Sequence, residues 1–156
     1  MVNQEEPLKN KSLAISKKKI EFGDVEKLTN LAENYSVFEL SDNYLAKNLK
    51  KVSNILNENN YNSDDCILIL RTILNKSKRL LKIKKEIDNN KDIDQVLSSY
   101  KPPIFWKEKD IVKKQAKSWT TKDVKKIIYK INDLETIVKK NTSNSVNFIS
   151  DFVSNY

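Results

Sequence analysis

Gly23 is the only glycine in this chain of 156 residues. Tight β-hairpin turns draw on residues that tolerate positive φ, glycine above all, so a β-rich domain of this size would lack its turns. Helix interiors need no such residues, and Lys, Leu, Ile and Asn dominate the sequence. The reading is an all-α fold of five to seven helices. The same scarcity removes the P-loop and the GxGxxG dinucleotide loop, which spend several glycines on bringing backbone close to phosphate.

Other absences narrow the chemistry. There is no histidine, which removes His-based triads, His general bases and His-ligated metals. Cys66 stands alone, so neither a disulfide within the chain nor a cysteine-cluster zinc site is available. The longest apolar run, Cys66–Leu70, is far short of the roughly 20 residues a spanning helix needs. MVNQEEPLKNK at the start has no apolar core of a signal peptide. The expectation is a cytoplasmic protein with no membrane segment, no catalytic residue, no cofactor and no metal.

Net charge is +8, with 29 basic residues against 21 acidic ones. Such a balance attracts nucleic acid, membrane surfaces or acidic proteins. All but Arg71 and Arg79 of the basic residues are lysines, whereas base-edge readout and bidentate phosphate clamps favour arginine. The charge therefore fits attraction without sequence preference. Residues 101–140 hold twelve lysines and five acidic residues. Lys76, Arg79, Lys82, Lys113, Lys114 and Lys117 form the candidate basic face. It reads either as a solvated surface or as a contact for DNA or acidic partners; aromatics do not interleave with these lysines as a stacking platform requires.

Helical periodicity orders the chain. Leu8–Ile15 is a weak helical pattern. Ile20 and Phe22 form a brief extended piece before a short helix at Asp24–Leu31, and Glu33–Tyr35 reads as a linker. Ser36 is the expected N-cap of a helix carrying Phe38, Leu40, Tyr44 and Leu45. A partner helix runs through Leu49, Val52, Ile55 and Leu56 and stops in the Asn57–Asn62 cluster. Ser63 is the expected cap of the longest helix, with Asp64 and Asp65 in its first turn. Cys66, on its most apolar part, reads as a small buried hydrophobe. A short helix at Ile93–Leu97, a helix over Lys107–Trp119, a long seam at Val124–Val138 after the Thr120 cap, and a last helix from Val146 to Val153 complete the pattern.

Between two of these patterns lies YKPPIFWKEKD, Tyr100–Asp110. Pro102 and Pro103 fix their own φ and hold the preceding residue out of the helical region. The chain must cross extended before helix resumes. Phe105 and Trp106 follow at once, each bringing roughly 150–250 Å² of surface. The favoured reading wedges both into the core. The alternative makes Pro102, Pro103, Phe105, Trp106 and Trp119 a contact for a neighbouring molecule, with Trp119 divided evenly between capping the core and sitting at such a seam.

From Ile20 to Val153 the ordered set resembles the C-terminal part of the bacterial DNA polymerase III delta subunit, a component of the sliding-clamp loader. IEFGDVEKL is similar to the element closing that family's middle domain. The helix pair Phe38–Leu56 and the basic-ended DDCILILRTILNKSKRLLKIK resemble the start of its collar. YKPPIFWKEKDIVKKQAKSWT and the Val124–Val138 seam, followed by Lys139 and Lys140, resemble its connector and a later helix. The resemblance implies residues 1–34 as a helical remnant of the middle domain and 35–156 as a helical collar domain. It implies a non-catalytic part in DNA replication, through hetero-oligomeric assembly with other clamp-loader subunits. The family's amino-terminal, clamp-binding domain has no counterpart in these residues, so clamp opening does not carry over. The reading from another class is a free-standing basic module that binds nucleic acid without sequence preference.

Overall fold

The computed structural model describes Lys19 and residues 21–156, with backbone alone at 26 and 28–33. Seven α-helices and two 3-10 turns make up its regular structure, with no strand among the described residues. The helices are α1 (Phe22–Leu45), α2 (Leu49–Glu58), α3 (Ser63–Asp88), α4 (Ile93–Ser99), α5 (Lys109–Ser118), α6 (Thr121–Lys140) and α7 (Ser145–Ser154). The chain divides into two compact units, the first ending at Glu33 and the second covering Asn34–Tyr156. No described helix is long and apolar enough to cross a membrane.

In the first unit the helix opens at Phe22, two residues earlier than expected. The Glu21 carbonyl accepts from the Asp24 and Val25 amides. The Asp24 carboxylate accepts from the Glu21 amide at 3.2 Å. The helix expected at Leu8–Ile15 lies outside the described residues.

The linker expected at Glu33–Tyr35 is instead part of α1, and the unit boundary falls inside that helix. The segment lacks an apolar period but holds neither proline nor glycine, so nothing in it stops a helix. Ser36 is not a cap either. It is buried, and its hydroxyl accepts from Tyr61 Oη at 3.0 Å.

In the second unit α3 is central. It packs most extensively against α6 and also meets α4, α5 and α7. Cys66, Ile69, Leu70, Ile73, Leu80 and Ile83 form its buried stripe, and Val124, Ile127, Ile131 and Val138 form that of α6. Ile149, Phe152 and Val153 of α7 join the same core, as do Val52 and Ile55 of α2. From α1 come Val37, Leu40, Tyr44 and Leu45, spaced as one face of a helix.

Helix ends follow local chemistry. Asn62, not Ser63, caps α3. Its Oδ1 accepts from the Asp64 and Asp65 amides at 2.8 and 2.9 Å, and the Asp65 carboxylate accepts from the Asn62 amide. Asn and Ser are comparable caps, and the reciprocal bond from Asp65 favours the earlier start. Thr120 caps α6 as expected, accepting from the Asp123 amide at 3.1 Å. Asp92 caps α4.

The connector departs most from expectation. Ile104 is 6% exposed and is its only buried residue; Phe105 and Trp106 are 55% and 69% exposed. An extended chain turns successive side chains to opposite sides. With Ile104 facing inward, Phe105 faces out, and Trp106 opens a 3-10 turn, Trp106–Glu108, ahead of α5. Trp119 takes the inward role. It follows α5 in extended conformation, is 5% exposed, and donates from Nε1 to the Leu45 carbonyl at 2.6 Å.

Candidate interaction surface

Four exposed aromatic residues flank one side of the second unit: Tyr35 and Phe38 on α1, Phe105 and Trp106 on the connector. Tyr35, Phe38 and Phe105 line a groove of about 520 Å³ with Glu39, Asp42 and Ile111. The Phe105 and Trp106 rings lie 5.9 Å apart, tilted 52°. Phe38 falls outside the sequence reading of this site, which placed it with core residues. Helical spacing gave no warning: at about 100° per residue Phe38 falls beside Leu45, at the edge of the stripe Ser36, Val37, Leu40, Ser41, Tyr44 and Leu45 that is buried among the described side chains of α1.

The acids around the groove are each paired, while Lys107 in its lining lies over the Trp106 ring at 5.3 Å and makes no ion pair among the described residues. Glu39 pairs with Lys51 at 3.1 Å, and that bond raises the Lys51 pKa. Asp42 pairs with Lys76 at 2.8 Å, both mostly buried, and Gln115 Nε2 donates to the Asp42 carbonyl at 3.1 Å. Glu108 pairs with Arg79 at 3.0 Å. Local ion pairing of the acids leaves exposed aromatic surface and the Lys107 ammonium as what the groove presents.

The same pairing divides the candidate basic face into three paired and three unpaired residues. Lys76 and Arg79 are committed to Asp42 and Glu108, and Lys113 is held by Asp94 at 2.6 Å; that hydrogen bond raises the Lys113 pKa. Lys82, Lys114 and Lys117 make no ion pair among the described residues. Lys82 lines a separate cleft of about 440 Å³ with Lys91, Gln95, Tyr100 and Lys101.

Pro102 and Pro103 are exposed, and the Lys101–Pro102 peptide is cis. Trp119 belongs to the core, away from the exposed set. Asp64, Asp65 and Asp92 serve helix starts. Among the described residues no group of three His, Cys, Asp or Glu side chains could hold a metal ion. No family model, no curated protein and no solved structure matches this chain.

Proposed function

We propose that this chain is a non-catalytic subunit, or part of one, of the DNA polymerase III clamp loader, and that it assembles with other subunits through its helical second unit. The observation that carries the proposal is the exposed aromatic set Tyr35, Phe38, Phe105 and Trp106, set among acids already neutralised by their own lysines and arginine. Large aromatics in such a setting are the residue type that anchors protein interfaces. The resemblance of the connector and long helices to the delta subunit's collar supplies the identity of the neighbours. The proposal gives the chain no reaction of its own and no part in opening the clamp.

The second reading, nucleic-acid attraction without sequence preference, is favoured by Lys78, Lys82 and Lys85. They are exposed at helical spacing along α3 and outside every ion pair among the described residues. The two readings separate in a pull-down at low and high salt, with the clamp-loader subunits and with DNA as baits. Retention of a subunit at both salts, lost in Trp106→Ala, supports assembly. Retention of DNA alone, at low salt only, overturns it in favour of the second reading.

A further inference from the structure

A second cavity, of about 440 Å³, opens where the α1–α2 turn, the first half of α6 and the end of the chain converge. This volume is in the range of small-molecule sites. Three ammonium groups, Lys47, Lys126 and Lys130, face one carboxylate, Asp123, across it. Lys126 Nζ lies 3.5 Å from Asp123. Lys126 and Asp123 offset each other, and Lys47 and Lys130 make no ion pair among the described residues.

Two kinds of neighbour hold the lysines of this surface, and Lys107, over the Trp106 ring at 5.3 Å, shares the kind found in the cavity. Lys51, Lys76 and Lys113 rest on carboxylates. Lys47 and Lys130 rest on rings instead. Lys47 Nζ lies 4.2 Å from the Trp119 centroid and 5.5 Å from that of Tyr156. Lys130 Nζ lies 5.4 Å from the Phe152 centroid. An aromatic face positions a cation without cancelling its charge. Lys47 sits at φ 55° as the left-handed residue that closes α1, its amide donating to the Tyr44 carbonyl at 3.0 Å and the Asn48 amide to the Asn43 carbonyl at 2.9 Å, the usual helix C-terminal motif. Tyr156 stacks on Tyr44 at 5.6 Å, meets Trp119 edge-on at 5.6 Å and stays half exposed at the mouth.

We infer that this cavity binds a phosphate monoester carried on a planar ring: a nucleotide, free or at the 5′ end of a strand. A phosphate monoester carries about −1.5 to −2 charges near neutrality, opposite in sign to Lys47 and Lys130, and lysine meets phosphate as a point charge. The exposed part of Tyr156 is where a base meets the ring. The site is independent of the aromatic groove and of whether the chain assembles with other subunits.

The test is titration of the full chain, followed by amide and indole NMR shifts, with AMP, adenosine, inorganic phosphate and a short oligonucleotide with and without a 5′ phosphate. AMP or the phosphorylated strand shifts Trp119, Lys47 and Tyr156 signals at millimolar concentration or below. Whichever binds more tightly identifies the source of the phosphate. Adenosine and the unphosphorylated strand bind at least about tenfold more weakly. Lys130→Gln and Lys47→Gly each lower AMP affinity about tenfold or more, while Lys91→Gln leaves it unchanged. No shift at this cavity with any phosphate-bearing probe, adenosine binding as well as AMP, or a folded Lys47→Gly retaining full affinity each overturns the inference.

Discussion

Two tryptophans thirteen positions apart have opposite fates, and each substitution reads one of them. Trp106→Ala and Phe105→Ala remove exposed rings, so the unfolding midpoint of the isolated chain moves by no more than about 0.5 kcal/mol while subunit capture is lost. Trp119→Ala opens the core and orphans the buried Leu45 carbonyl bond; the expected cost is about 3–5 kcal/mol, measured by denaturant unfolding. Cys66 gives a pH signature. Burial, aided by the Asp65 charge, pushes its thiol from 9.0 up to about 11, so the folded state holds the proton more tightly than the unfolded one. Its contribution is complete below about pH 9 and is lost as pH rises through about 11. Stability of the wild type therefore falls more steeply across that window than that of Cys66→Ala, and parallel curves would show that the thiol is not buried.

At the scale of elements, the Thr120 cap was legible in place, the α3 cap was off by a residue, and the cap expected at Ser36 lies inside α1. Asn62 and Ser63 are both capping residues, and only the reciprocal bond with Asp65 decides between them. Asn62→Ala should cost about 0.5–2 kcal/mol and Ser63→Ala far less; equal losses would place the helix start elsewhere. Periodicity located α2, α3, α6 and α7 because each carries an apolar stripe that the core requires. It misplaced the start of the α1 core segment, because polar Asn34–Ser36 interrupts the stripe without breaking the backbone. It misjudged the connector for a related reason. Prolines announce an extended crossing but not its phase, and phase alone decides whether Ile104 or Phe105 faces inward.

Across the molecule, composition established the all-α class, whereas the groove could not be read in advance. Tyr35 and Phe38 are distant in sequence from Phe105, and only the packing of α5 and the connector beside α1 brings them together. The ion pairs within the basic face could not be read in advance for a like reason: Lys76, Arg79 and Lys113 find acids 34, 29 and 19 positions away, and such pairings leave no local pattern. Pairing at the groove also sets the response to salt. A contact made through the aromatic set should hold when added salt shortens the screening length to about 3 Å, and a drop of a hundredfold or more in subunit capture on going to high salt would assign that contact to lysines instead. The contrast between 69% and 5% exposure at Trp106 and Trp119 also equips the protein with two built-in fluorophores of different colour. Collisional quenchers in the solvent should reach the red-emitting Trp106 and spare the blue-emitting Trp119, so one spectrum can follow docking while the other follows melting.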